Sequence, residues 1–108
     1  MYKFYLFCDA GMSTSLMAAR MKKVAEENKL PIEVEAYPQA RMSEIIESEN
    51  PNVVLLGPQV KHIESKVRQR YGDGRVVMVI DQNDYGTMNA ERVLKSALLQ
   101  LKKQRENK

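Results

Sequence analysis

Cys8 is the residue of this chain best suited to covalent chemistry, and it is the only cysteine. It ends the apolar run of residues 4–7 and precedes a helical pattern that begins near Ser13. A loop that opens a helix presents unpaired N–H groups and the positive end of the helix dipole, which together bind anions. A helix start also favours the thiolate, the nucleophilic form of cysteine. The order strand, cysteine, loop, helix therefore predicts a sulfur nucleophile facing a phosphate-sized oxyanion.

Each of these residues also has an ordinary structural interpretation. A single cysteine is often a small buried hydrophobe. Ser13 or Thr14 could be an N-cap, and Gly11 a turn residue. Their joint position favours chemistry, because open α/β sheets bind ligands at the carboxyl ends of their strands.

Length and composition limit the class of protein, its compartment and its partners. The chain has 108 residues, 44% of them hydrophobic and 29% charged, which predicts one soluble domain over residues 1–108. It contains neither a signal peptide pattern nor an apolar run of about 20 residues, so we expect no membrane insertion. A single cysteine forms no internal disulfide, which favours the cytoplasm. One distant histidine, His62, completes no metal motif, and the sequence indicates no cofactor. The net charge of +3 is mild and its basic residues are scattered, so we expect no nucleic-acid partner.

Apolar runs and helical periodicity alternate along the chain. We predict strands at residues 3–7, 32–37, 53–56 and 76–80. We predict helices at residues 13–28, 40–48 and from 58 or 59 to 70, with a last helix starting near Thr87 or Asn89. Residues 81–86 read as a long polar loop. This alternation predicts an α/β fold, a three-layer domain with helices on both faces of a four-stranded parallel sheet of order 2-1-3-4.

That strand order brings further residues to the edge where Cys8 lies. The order changes direction between the first and third strands, and ligands bind at such a switch point. Candidate rim residues follow the third and fourth strands: Gly57, Pro58, Gln59, Asp81 and Tyr85. Asp81 and Asp84 are candidates for a general acid, although aspartates in loops usually serve turns and caps. His62 is expected at the surface of the third helix.

Two thiol chemistries fit this arrangement. The fold and the strand, loop and helix resemble those of low-molecular-weight tyrosine phosphatases, which carry the spacing Cys-x5-Arg. Here the residue six positions after Cys8 is Thr14. Without the arginine that stabilises the transition state, the site is better suited to carrying a phosphoryl group than to hydrolysing it.

The second chemistry is phosphoryl relay, and several blocks of sequence support it. Residues 5–8 and 10–16 resemble the phosphorylation loop of IIB components in the lactose/cellobiose/chitobiose branch of the sugar phosphotransferase system. Residues 35–38, 53–59, 79–81, 85–86 and 93–95 also resemble that branch, in order and without large gaps. The resemblance thus covers essentially the whole chain.

This resemblance implies a protein-N(pi)-phosphohistidine–sugar phosphotransferase with a phosphocysteine intermediate. Cys8 would accept a phosphoryl group from a histidine of a IIA protein and pass it to a sugar held by a membrane IIC permease. The sugar is expected to be a β-disaccharide of the cellobiose, chitobiose or lactose class, and the free chain a monomer. The matching phosphate loop comprises Ala10, Gly11, Met12, Ser13, Thr14 and Ser15.

Asp9 departs from the small residue that the family often has at this position. A carboxylate beside a phosphocysteine would repel it, so we expect Asp9 to point outward, with easier onward transfer as the alternative. Two other functions stay open. One is a phosphatase or arsenate-reductase-like thiol enzyme, and the other is a IIB-like regulatory domain that reports the phosphorylation state of sugar transport.

Overall fold

The centre of the fold is a parallel sheet that places the end of the first strand between two neighbours. The computed structural model describes residues 1–9 and 12–106, of which residues 12 and 13 are described by their backbone alone. The strands are β1 (Tyr2–Cys8), β2 (Ile32–Pro38), β3 (Val53–Leu56) and β4 (Val76–Val79). They pair in the order β2-β1-β3-β4, and every pairing is parallel, as the sequence predicted.

Helices connect the strands and cover both faces of the sheet. The α-helices are α1 (Met12–Glu27), α2 (Met42–Glu49), α3 (Glu64–Tyr71), α4 (Gln82–Gly86) and α5 (Ala90–Glu106). Two 3₁₀ helices, Gln39–Arg41 and Pro58–Ile63, precede α2 and α3. The predicted three-layer α/β architecture is therefore confirmed.

The two hydrophobic cores follow from the alternation of side chains along β1. Phe4 and Leu6 face one core, which they share with residues of α1, α4 and α5. Tyr5 and Phe7 face the other, which they share with residues of α2 and α3. Because β1 is central, it is buried from residue 4 to residue 8, and this explains its nearly continuous apolar sequence.

Two predicted elements differ from the structure. The single helix predicted from residue 58 or 59 to residue 70 is a 3₁₀ helix followed by α3, and within the 3₁₀ segment the backbone of buried Val60 is not helical (φ −116°, ψ 22°). The long polar loop predicted at residues 81–86 contains α4 instead. Asp81 initiates this short helix, since its side chain accepts a hydrogen bond from the Asp84 N–H.

The remaining bounds shift by small amounts. β1 gains a residue at each end, β2 extends to Pro38, and β4 ends one residue early at Val79. Ile80 still donates its N–H to Leu56 O at 2.8 Å, so the ladder contact continues past the strand. The last helix begins at Ala90, and Asn89 is its cap, because Asn89 Oδ1 accepts from the Arg92 N–H at 3.2 Å.

Candidate functional site at the carboxyl edge of the sheet

Cys8 is the last residue of β1 and lies at the carboxyl edge of the sheet. It is opposite Pro38 of β2, and the other neighbour of β1 is β3. By the two-residue alternation of the strand, it falls on the same face as Phe4 and Leu6, the face that α1 covers. Cys8 is 2% exposed. β1 therefore holds Cys8 at the carboxyl edge of the sheet, on the face that α1 covers.

The start of α1 supplies backbone donors four to seven residues after Cys8. The helix begins at Met12, so the N–H groups of residues 12–15 have no partner within the helix. Its first turn contains no acidic residue that would oppose an anion. Two predicted loop residues, Ala10 and Gly11, lie outside the described residues, as do the side chains of Met12 and Ser13.

The described hydroxyl groups of the predicted loop face different surroundings. Ser15 is exposed. Thr14 is fully buried, and its Oγ1 lies 3.1 Å from the phenolic oxygen of Tyr85. Since the Thr14 hydroxyl is bonded inward, the backbone N–H is the group of this residue that is suited to binding an anion.

Asp9 is exposed, as the alternation along β1 predicted. His62 is exposed on the 3₁₀ helix, also as predicted. Neither side chain is buried at the carboxyl edge of the sheet.

The loop after β3 is in contact with Cys8. The Gly57 N–H donates to Phe7 O at 2.9 Å. A Cβ added to Gly57 would lie 3.1 Å from Cys8 Cβ and 2.8 Å from Gln59 Oε1. The parallel topology therefore brings the predicted rim residues Gly57 and Gln59 to the cysteine, with the carboxamide of Gln59 folded over the glycine.

The rim residues after β4 have structural partners. Asp81 caps α4 through its 3.0 Å bond from the Asp84 N–H. Asp84 is 6% exposed, and its carboxylate lies 3.1 Å from Arg92 Nε. Asp81 is therefore a capping residue, and the Asp84 carboxylate serves an ion pair with α5.

A cleft of about 480 Å³ lies along this rim. Three of its lining residues were predicted at the rim, namely Pro58, Gln59 and Tyr85. Gln82 and Gly86 lie on the stretch of residues 81–86 that was predicted at this rim but were not among the candidates, and Lys61 was not predicted there. Their closeness in the chain to the predicted rim residues was the signal that could have identified them. That the segments after β3 and β4 line one cleft depends on the tertiary structure.

Fold and site together define a class of protein: a parallel α/β domain with a cysteine at the carboxyl end of its first strand and a helix starting four residues later. The sequence model described as "PTS system, Lactose/Cellobiose specific IIB subunit" matches residues 3–96. The chain belongs to this family, the lactose/cellobiose-specific IIB subunits of the sugar phosphotransferase system.

Relatives of known designation agree with this assignment. The chain is 40% identical over 96 residues to the galactose-specific EIIB component of Lactococcus lactis subsp. cremoris, covering 85% of this chain and 89% of the relative. It is 38% identical, with the same coverage, to the cellobiose-specific EIIB component of Lactococcus lactis subsp. lactis. It is 31% identical to the oligo-beta-mannoside-specific EIIB component of Bacillus subtilis, covering 91% of this chain and 94% of the relative.

Solved structures show the same architecture. The cellobiose-specific IIB component of Borrelia burgdorferi superposes with a TM-score of 0.71 at 30% identity, covering 94% of each chain. The lactose-specific IIB domain of Streptococcus pneumoniae superposes with a TM-score of 0.76 at 16% identity, covering 92% of this chain and 96% of the other. The second likeness concerns the fold alone.

Searched over residues 1–9 and 12–106, the helices include none that combines the length and the apolar character needed to cross a bilayer.

Proposed function

We propose that this chain is a phosphoryl carrier in sugar uptake and that Cys8 is its phosphorylated residue. The donor is a phosphohistidine of a IIA protein, and the acceptor is a sugar bound by a membrane IIC permease. The observation that carries the proposal is the position of Cys8, which ends the central strand at the edge where α1 begins. Membership in the IIB family gives that position its chemical meaning.

The proposed relay consists of two displacements at phosphorus. In the first, a lone pair of the Cys8 thiolate attacks phosphorus, the P–N bond breaks, and its electrons return to the imidazole. In the second, a sugar hydroxyl oxygen attacks the same phosphorus, the S–P bond breaks, and the thiolate is regenerated while the hydroxyl proton passes to a base or to water. Backbone N–H groups at the start of α1 stabilise the charge of the transferred group.

The surroundings of Cys8 are better suited to relay than to hydrolysis. The position that an arginine occupies in the phosphatases is held by Thr14, whose hydroxyl is bonded to Tyr85. A transferred phosphoryl group therefore has amide donors around it and no guanidinium from this position. Because Cys8 is 2% exposed, the proposed transfer also requires this residue to become more accessible when the donor docks.

The proposed sugar is a β-disaccharide of the cellobiose, chitobiose or lactose class. The relative and the solved structure named for cellobiose support this class, whereas the relatives named for galactose and oligo-beta-mannoside show that the family also takes other sugars. In this scheme the permease holds the sugar, and the chain acts as a monomer. Its place is the cytoplasm, where thiols stay reduced.

The test is phosphorylation in a reconstituted system. The chain is incubated with phosphoenolpyruvate, the general phosphotransferase proteins and a IIA partner, and its intact mass is recorded. We expect the wild type to gain one phosphoryl group. Cys8→Ala should gain none, and Cys8→Ser should gain none that is stable. Circular dichroism checks that both variants fold. A mass gain that persists in Cys8→Ala would assign the phosphoryl group to another residue.

Two further readouts separate the alternatives. Multiple turnover of a small aryl phosphate by the wild type, lost in Cys8→Ser, would identify a thiol phosphatase. A phosphorylated chain that passes its phosphoryl group to no sugar, with permease membranes and a panel of β-disaccharides present, would identify a regulatory domain.

A further inference from the structure

One buried hydrogen bond joins the start of α1 to the short helix α4. Thr14 is the third residue of α1 and is 0% exposed, while Tyr85 lies on α4 and is 8% exposed. Their hydroxyl oxygens lie 3.1 Å apart, across 71 positions of sequence. Either hydroxyl group can be the donor. The bond therefore joins two elements that reach the carboxyl edge from distant parts of the chain.

The Tyr85 end of this bond is held firmly by its own neighbours. The Tyr85 N–H donates to Asp81 O at 2.9 Å, and Asp81 caps α4. Asp84 O accepts the Asn89 N–H at 2.8 Å, and the Asp84 carboxylate pairs with Arg92. The ring of Tyr85 belongs to the core shared by α1 and α5. Tyr85 is thus a fixed point against which the first turn of α1 is located.

We propose that Tyr85 is a positioning residue for phosphoryl transfer, acting through Thr14 on the backbone N–H groups that open α1. This inference rests on the proposed function, because those N–H groups matter only if Cys8 carries a phosphoryl group. The hydroxyl of Tyr85 is bonded to the Thr14 hydroxyl, so we assign Tyr85 an effect on the site through that residue. Its hydroxyl restricts the rotation and translation of the first helical turn, so the donors are already in place when charge develops at phosphorus.

A positioning role and a purely structural role predict different behaviour. Removing one partner leaves a buried hydroxyl unsatisfied, which destabilises the protein. Replacing both partners by apolar groups of the same shape is nearly neutral for stability. The double variant Thr14→Val/Tyr85→Phe therefore restores stability without restoring the directional bond, and it separates the two roles.

The experiment compares wild type, Tyr85→Phe, Thr14→Val and the double variant. Single-turnover phosphorylation by phospho-IIA is measured over a range of donor concentrations, together with urea unfolding. We expect each single variant to unfold at lower urea, and the double variant to recover most of that loss. We expect all three to transfer about tenfold more slowly at saturating donor, since small misplacements of catalytic groups cost this much or more. The half-saturating donor concentration should be unchanged, because the bond is buried.

Tyr71→Phe controls for the loss of a tyrosine hydroxyl bond elsewhere in the fold, at a pair that is exposed and not buried. Tyr71 also bonds a hydroxyl, that of Ser43 at 2.6 Å, but this pair joins α3 to α2. Its removal should leave the transfer rate at the wild-type value.

Several results would overturn the inference. A wild-type rate in Tyr85→Phe contradicts it while leaving the proposed function intact. A double variant that regains both stability and rate assigns the bond a structural role only. Equal slowing in Tyr71→Phe shows a nonspecific effect. If the wild type itself acquires no phosphoryl group at residue 8, the proposed function fails, and the inference fails with it.

Discussion

The missing Cβ of Gly57 is what allows the loop after β3 to lie against Cys8. A Cβ at this position would lie 3.1 Å from Cys8 Cβ, tighter than nine in ten real contacts of a Cβ atom. The backbone of Gly57 has φ −62° and ψ 152°, a conformation that any residue adopts. The requirement for glycine is therefore one of space and not of backbone freedom.

Gly57→Ala should accordingly reduce both stability and transfer. The tip of Gln59 can swing away from the new methyl group, but Cys8 is fixed in the central strand. We expect a loss of about 1–3 kcal/mol in the free energy of unfolding, the usual cost of overpacking, and slower phosphorylation of Cys8. Urea unfolding and the single-turnover assay measure the two effects.

Gly86→Ala is the control for this substitution. Gly86 lines the same rim cleft, and an added Cβ there meets no atom within 4 Å. Its stability should be unchanged or raised by up to about 1 kcal/mol. Equal losses in the two variants would contradict the steric explanation.

Asp81→Ala should destabilise α4 by removing its cap. The Asp81 carboxylate accepts the Asp84 N–H at 3.0 Å, and loss of an N-cap costs about 0.5–2 kcal/mol. Asp81→Asn keeps an acceptor of the same shape and should retain most of the stability. Thermal unfolding of the two variants beside wild type measures the difference, and comparable melting temperatures for Asp81→Ala and wild type would contradict the capping role.

The protein should lose stability in the alkaline range because Tyr5 is held protonated in the folded state. Its ring is 1% exposed, and its hydroxyl donates to Glu33 Oε2 at 2.6 Å. Burial, followed by the neighbouring carboxylate of Glu33, raises the pKa of Tyr5 far above its ordinary value. The folded state therefore keeps the phenol protonated when the unfolded chain would ionise it. This contribution is complete below about pH 10, the ordinary tyrosine pKa, and is lost as the pH rises above it.

The check is Tyr5→Phe, which removes the titrating group and keeps the ring. Between neutral pH and the alkaline range, the free energy of unfolding should fall more steeply in wild type than in this variant. Ultraviolet titration of the folded proteins should show the same amount of tyrosinate in both, because Tyr5 does not ionise before unfolding. Extra tyrosinate in folded wild type would contradict the assigned pKa shift.

Leu55→Ala should be among the most destabilising single changes. Leu55 lies on β3, is 0% exposed and packs in the core that α1 and α5 cover. Deleting its side chain should cost about 2–5 kcal/mol through lost burial and the cavity left behind. Leu99→Ala, at a residue that is 54% exposed, should change stability by no more than about 0.5 kcal/mol. Urea unfolding of the two variants provides the comparison.

Much of the fold could be predicted because the strand signals are local. Residues 53–56 are apolar at every position, which predicted an interior strand, and β3 has the same bounds. The alternation at residues 32–37 predicted an edge strand, and β2 lies at the edge. The short helix α4 was missed because Asp81, a single capping residue, initiates it within a polar stretch.

The site was predicted only in outline. The types and order of residues placed Cys8 at a strand end and Gly57 on a loop at the same edge. Nothing in the sequence showed that Gln59 folds over Gly57, or that Tyr5 bonds Glu33 of the neighbouring strand. Such contacts depend on strand register and on the rotation of each helix.

The sequence by itself determined the order of strands and helices and the position of the cysteine at a strand end, because hydrophobic periodicity is read within a few residues. The tertiary structure alone decided which side chains meet at that strand end. Thr14 and Tyr85 are 71 positions apart, and they form a bond because the parallel sheet order carries the starts of α1 and α4 to one edge. Contacts of this range follow from the packing of whole elements, which no local pattern of residues specifies.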